Sequence, residues 1–457
     1  MTRAEQLAQF SAEASYDSIS GSTLLQLKIR VLDAAGCAIG ALEGAPVRQI
    51  RKHVGDFGGH GLVTLIGGGR TSPDRGAFYN SALVRYLDFN DSYLAKGETC
   101  HPSDNIGAIL AASEYAGRNG RDFLTALAVA YQVLCRLCDV APVRAKGFDH
   151  TTLGSFAVAA GVSRALGLDR EKTANAIAIS GTAFNALRVT RTGALSNWKG
   201  LAYPSTAFSC TNAAFLAMEG ITGPAEVFEG NKGFMDAISG PFEIDWAQEN
   251  LERVNRTILK KYNAEIHSQS VLEAVLEMKR QFVFRAADVR QIEIKVFDVA
   301  YNIIGGGEEG NKSLVRTKEE ADHSLPYMVA TAVVDGHVMP QQYLPERIHR
   351  EVTQALLRKV AVRPSEAFSS RFPDEMPCAV TIRLQDGRVL TQEGLDYEGF
   401  HTRPFTWETA FRKFEQLSEP YAPASLRQEI ADAVAHLDSI DVSHLMGLLA
   451  QVRGPSA

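Results

Sequence analysis

Residues 88–110 read DFNDSYLAKGETCHPSDNIGAIL and gather Asp88, Asp91, Glu98, Cys100, His101 and Asp104 directly ahead of an apolar run. Three chemistries use such residues: metal ligation, acid–base catalysis, or the polar entrance of a buried helix. Cys100 and His101 are adjacent and cannot both point one way off a regular element. Asp88 and Asp91 can share a helix face. Two carboxylates with a histidine suit Mg²⁺ or Mn²⁺, but the spacing matches no metal loop. The only CxxC, Cys135 to Cys138, lies inside an apolar helical run with no second close pair. That is the pattern of core packing rather than of zinc. No metal is expected. The glycine runs at 67–69 and 305–307 lack the strand-to-helix context of a nucleotide loop, and also its Lys-Ser/Thr. They predict turns, and no cofactor is expected.

The residues fit acid–base work better. Pro102, Ser103 and Asp104 follow His101, and such residues favour a helix's first turn or cap. Asp104 is therefore expected to serve the helix. The arrangement recurs at Phe148-Asp149-His150-Thr151-Thr152, which opens the apolar run 153–167. It recurs more loosely where Asn197-Trp198-Lys199-Gly200 precedes Tyr203-Pro204-Ser205-Thr206 and the run 205–220. A helix N-terminus carries free N–H donors and partial positive charge, so it attracts anions. Three such entrances brought together would present two imidazoles, Lys199 and several N–H groups. That set suits a polycarboxylate and removal of a proton next to a carboxylate. The stretches 260–267, KKYNAEIH, and 318–327, KEEADHSLPY, add further ions, with His323 near another helix entrance. If the smaller domain closes over the larger, these segments would complete the site and exclude water.

The elements that must position these residues follow from periodicity. Residues 23–42 repeat apolar positions at helical spacing, and the runs 108–117, 123–138, 155–167 and 205–220 are apolar all round and rich in Ala. Such helices belong in the middle of a large bundle. An all-helical domain is expected from residue 20 to about 255. The texture then changes. Residues 289–300 alternate like a strand, and 378–397 read as a hairpin turning at Asp386-Gly387. Helices are predicted over 325–336 and 346–360, and again in the tail over 407–417 and 426–437.

The totals set outer bounds. The chain has 457 residues, enough for two or three domains. Its net charge of −6 and pI near 6.0 argue against a nucleic-acid footprint. The N-terminus has no apolar signal region, and no uninterrupted apolar stretch approaches a membrane span. Six scattered cysteines suit a reducing cytoplasm.

Several motifs resemble the MmgE/PrpD family, which includes 2-methylcitrate dehydratase, cis-aconitate decarboxylase and iminodisuccinate epimerase. They are YLDFNDSYL with HPSDNIGAILAA (86–112), GFDHTTLGSFA (147–157), the SNWKGLAYPS region (196–205), KKYNAEIHSQ (260–269) and EEADHSLPYMVA (319–330). The resemblance covers nearly the whole chain. It implies a mainly α protein with an α+β part: a large helical domain from both chain ends, 1–256 and 404–457, and a smaller α+β lid, 257–403. It also implies a homodimer that works without an organic cofactor on a small polycarboxylate. By motif, the decarboxylase branch places its site residues at Asp88, Ser92, His101, His150, Lys199, Lys260 and Tyr327, with Ser92 standing where Thr is usual. Glu265 and His267 lie in an AEIH resembling the AEFH of the dehydratases, where the decarboxylases carry His in place of Glu265. The expected activity is dehydration of a 2-methylcitrate-like hydroxytricarboxylate, with decarboxylation or epimerisation as the alternative. His101, His150, Asp88 and Lys199 are the expected catalytic groups. Ser92, Asp91, Lys260, Glu265, His267, His323 and Tyr327 are expected to bind substrate.

Overall fold

The computed structural model describes residues 1–193 and 195–454. Residues 194 and 455–457, which the sequence assigns to the helical domain, lie outside the described residues. The chain is mainly helical with a small mixed sheet in its C-terminal part. It forms two compact units. The first is Met1–Thr190, Gly200–Ile258 and Phe405–Ala457; the second is Arg191–Lys199 and Leu259–Pro404.

The first unit is built on α1 (Gly21–Gly40), α2 (Pro73–Tyr86), α3 (Ile106–Tyr115), α4 (Gly120–Val140), α5 (Thr151–Leu166) and most of α6 (Trp198–Met218). The centre is formed by α3, α4 and α5, which pack on one another and are buried along almost their whole length. Small residues make this possible. A Cβ on Gly161 would lie 2.9 Å from Ala130 Cβ, and one on Gly107 would collide with the backbone nitrogen of Ser81. By length and composition α4 could cross a membrane, but 83% of its apolar window is buried within the protein, as in a core helix.

The sequence predicts an all-helical unit, and the structure corrects this. Val63–Thr64 pairs with Arg70–Thr71, and Tyr93–Leu94 pairs with Thr99–Cys100, both antiparallel. Strands this short carry no alternating pattern to read. The first hairpin turns on Gly67, Gly68 and Gly69, all at positive φ, where a side chain would be strained.

The tail helix Trp407–Ser418 packs on α1. Its Lys413 reaches the buried Asp33 of α1 at 2.7 Å, donates to the Phe89 carbonyl at 2.6 Å, and lies 3.8 Å from the centre of the Phe89 ring. One ammonium thus ties both chain ends to the turn that carries Asp88 and Asp91.

A second buried ion holds the chain between α4 and α5. Glu98, on the hairpin before His101, accepts backbone hydrogen bonds from Thr99, Val143 and Arg144. Burial raises its pKa to about 7, with the Arg188 charge opposing and Asp149 reinforcing the shift.

In the second unit, β1 (Val289–Val296), β2 (Val360–Pro364), β3 (Cys378–Leu384) and β4 (Val389–Gly394) form one sheet in the order β2-β1-β3-β4. The β1–β2 pair is parallel; the others are antiparallel. The β3–β4 hairpin turns where Asp386-Gly387 predicts, with Gly387 at φ 90°. Helices Gln269–Gln281 and Leu325–Asp335 pack against each other, and the first also covers β3 and β4. The predicted helix over 346–360 is instead two short helices, Pro345–Ile348 and Glu351–Leu357, followed by β2.

Two measurements probe these restraints. Gly107→Ala gains up to about 1 kcal/mol of helix propensity, yet its Cβ meets backbone that cannot rotate away. Net destabilisation of about 1–2 kcal/mol is expected in chemical denaturation, and a stabilised variant would refute the close approach. Glu98 has a raised folded pKa. Its contribution is therefore complete below about pH 4.5 and lost as the pH rises through about 7. Glu98→Gln should flatten the decline of Tm across that window. Parallel wild-type and variant curves would contradict it.

Candidate active site

In the first unit, His101 is the residue before the short 3-10 turn Pro102–Asn105 that runs into α3, and its own side chain does not cap that turn. Asp91 does so from across the loop. One carboxylate oxygen accepts from the Ser103 N–H at 2.9 Å, and the other accepts from the Tyr131 hydroxyl at 2.7 Å. Burial raises the Asp91 pKa, and these hydrogen bonds oppose the rise. Both oxygens are thus engaged within the protein, where the sequence expects Asp91 to bind substrate.

The Asp91 backbone carbonyl lies 2.8 Å from His101 Nδ1, and Ser92 Oγ lies 3.0 Å from the same nitrogen. A carbonyl only accepts, so Nδ1 carries the hydrogen and Nε2 keeps the lone pair. Ser92 is itself pinned by paired backbone hydrogen bonds with Ile258, each 2.8 Å.

Asp88 adopts a left-handed φ of 52° and accepts from Arg85 at 2.5 Å. The same guanidinium lies 3.5 Å from Asp104, which also accepts from Asn90 at 2.8 Å. Asp104 therefore joins a buried ionic network rather than capping the helix. The cap comes from Asp91, whose carboxylate is closer to the free N–H of Ser103.

His150 occupies the matching position ahead of α5. Its ring centre is 5.5 Å from that of His101, with the planes at 70°. His150 Nδ1 lies 3.4 Å from Asp149 Oδ1, and the other oxygen of Asp149 lies 3.8 Å from Arg188. Tyr203 stacks on His150 at 6.1 Å and donates to Asn105 at 3.0 Å, bridging to the turn after His101. Gly154 makes room for this ring, since a Cβ there would sit 2.6 Å from it. Two of the three predicted helix entrances therefore meet, and the third sends Tyr203. The start of that third helix differs from expectation. Helix α6 begins at Trp198, so Pro204 lies inside it and Lys199 lies in its first turn.

The thiols of Cys100, Cys135 and Cys138 are all buried. Burial pushes all three pKa values up, so they pack as neutral thiols.

In the second unit, Lys199 Nζ lies 2.8 Å from Asp322 Oδ1 and 2.9 Å from His323 Nδ1. Lys318 takes the other Asp322 oxygen at 2.7 Å. Burial alone would raise the Asp322 pKa, but Lys199 and Lys318 outweigh it and hold the carboxyl well below its usual range. Glu265 accepts from the His267 backbone at 2.8 Å and pairs with its ring at 2.7 Å. Burial opposes ionisation there too, yet His267, His323 and Lys260 bring its pKa down to about 2. His267 is fully buried against Phe297 and Phe372, and its Nε2 has no hydrogen-bond partner among the described residues. The Tyr327 hydroxyl donates to the Gln342 carbonyl. Glu265, His267 and Tyr327, expected to bind substrate, are thus interior residues of this unit with protein partners, and Lys260 is fully buried as well.

Asp149, Arg188, Tyr203, Asp322 and Lys318 are the contributors that residue types and spacing did not single out. A signal existed for two of them: Asp-His occurs at 149–150 and again at 322–323, each time beside a helix entrance.

The sequence matches the MmgE/PrpD N-terminal domain over residues 5–247 and the MmgE/PrpD C-terminal domain over residues 262–439. A mitochondrial 2-methylcitrate dehydratase of Yarrowia lipolytica is 30% identical over 396 residues, covering 80% of this chain and 74% of the relative. The 2-methylcitrate dehydratase of Escherichia coli K12 is 27% identical, covering 82% and 81%. An alkylcitrate dehydratase, phiI, of a fungal species is 29% identical, covering 86% and 83%. With both parts of the chain matched, and with relatives named as dehydratases aligned along most of their length, this protein belongs to the MmgE/PrpD family.

Proposed function

We propose that the protein is a hydro-lyase that dehydrates a 2-methylcitrate-like hydroxytricarboxylate. The observation that carries this is the fixed tautomer of His101, whose Nδ1–H donates to the Asp91 carbonyl while His150 stands 5.5 Å away. His101 Nε2 then takes the proton from the carbon next to a carboxylate. The electron pair left on that carbon is shared with the carboxylate and then forms the double bond as the C–O bond breaks. His150 delivers a proton to the departing hydroxide, so water leaves. The Asp149 carboxylate steadies positive charge on His150 before that transfer. Helix N-termini favour the negative charge that builds on the substrate. The names of the relatives, 2-methylcitrate and alkylcitrate dehydratases, support the substrate class.

A substrate panel tests the reaction. 2-Methylcitrate should give enoate absorbance. Release of CO₂ from cis-aconitate with no dehydration of any citrate would instead establish a decarboxylase.

The roles of the two histidines separate in D₂O. His101→Ala should lower both dehydration and exchange of the α-proton by about 10²–10⁴-fold. His150→Gln should slow dehydration by a similar factor while exchange persists. Loss of exchange in His150→Gln, with exchange retained in His101→Ala, would reverse the assignment.

A further inference from the structure

Tyr203, in the second turn of α6, is fully buried, and so is Asn105 in the 3-10 turn after His101. The Asn105 amide nitrogen donates to the Pro102 carbonyl at 2.9 Å. A carbonyl only accepts, so the amide oxygen is the atom that takes the Tyr203 hydroxyl at 3.0 Å. Burial holds the Tyr203 pKa well above its ordinary value, so the phenol stays a neutral donor. This chain of hydrogen bonds ends at the residue next to His101. The ring of Tyr203 stacks on His150, with the centres 6.1 Å apart and the planes at 29°. Helix α5 closes on the same ring at Gly154, one turn beyond His150, where a Cβ would lie 2.8 Å from Cζ and 2.9 Å from the hydroxyl oxygen.

Packing alone needs only the ring. A phenylalanine would fill the same space and keep the stack, without bringing into the interior a hydroxyl and an amide that must satisfy each other. What the hydroxyl adds is a tie between two turns that each present a histidine. His101 is oriented separately, by the Asp91 carbonyl. Asp149, which lies beside His150, belongs to the same turn and moves with it. Tyr203 comes from a third helix and engages both turns. We infer that Tyr203 is a positioning residue that, through Asn105, holds His150 at its distance from His101. It acts through His150 rather than on the substrate. The inference rests on the proposed division of labour between the two histidines.

Tyr203→Phe and Asn105→Ala, alone and together, test it. Each single variant should lower kcat for dehydration about tenfold while KM stays within about threefold. The double variant should be slower than the slower single variant by no more than about threefold, because both substitutions break one bridge. Exchange of the α-proton in D₂O, which His101 carries out, should stay within about threefold, so the ratio of exchange to dehydration rises about tenfold or somewhat less. Loss of folded enzyme would lower both rates together and leave the ratio unchanged. A second readout needs no turnover. In protein labelled with ¹³C at histidine Cε1, the His150 resonance is assigned by its absence in His150→Gln. It should shift in Asn105→Ala, and that substitution should produce no further shift in the Tyr203→Phe background.

A ratio that stays at its wild-type value, effects that multiply in the double variant, or a His150 resonance unmoved by Asn105→Ala would each overturn the inference. Should Tyr203→Phe fold poorly, the ratio and the resonance in Asn105→Ala decide alone. If the wild-type protein dehydrates no hydroxytricarboxylate, the proposed reaction falls and the resonances decide. A shift in Asn105→Ala that the Tyr203→Phe background abolishes upholds the inference, and its absence overturns it.

Discussion

Asp91 holds two things that must agree. Its carboxylate caps the turn that launches α3 and receives the Tyr131 hydroxyl from α4, while its carbonyl sets which nitrogen of His101 carries the hydrogen. A buried carboxylate with both oxygens satisfied cannot shift without leaving an orphaned N–H or O–H in a water-free interior. The cost of breaking the cap thus becomes the rigidity of the imidazole. The surrounding ions serve the same end. The Lys413 ammonium fixes the Phe89 carbonyl, and Arg85 fixes Asp88 and Asp104, so the loop carrying Asp91 is held on both sides.

The two Asp-His pairs place the same dipeptide in opposite electrostatic settings. Asp149 accepts from the Thr151 N–H and lies 3.8 Å from the Arg188 guanidinium and 3.4 Å from His150 Nδ1 at the mouth of α5. Its carboxylate stands beside an imidazole. Asp322 is clamped by two lysines and held ionised over the whole working range of pH. It organises cations and does not follow a proton. The first setting suits proton transfer and the second suits anion recognition. The difference lies in the partners of the aspartate, not in the dipeptide.

Much of the fold is legible from periodicity, because the central helices are long and buried on every side. The β3–β4 hairpin is legible because Asp386-Gly387 permits few alternatives. The strand β2 is not. ERIHREVTQALLRKV keeps a helical period up to the residues that start β2, and only pairing with β1, far away in sequence, decides its conformation. The start of α6 is obscured for a local reason: Pro204 normally opens or breaks a helix, whereas here the helix runs through it. At the site, His101 and His150 are legible because each precedes an apolar run. The cap from Asp91 to Ser103 is not, since it is a contact across a loop whose shape the sequence does not display.

Glu265, His267 and Tyr327 lie in strong motifs, yet each is buried with a protein partner. Such positions are constrained by packing and by charge balance, because an unpaired ion in the interior destabilises any member of the family regardless of substrate. Discrimination between ligands needs groups whose partners are supplied from outside.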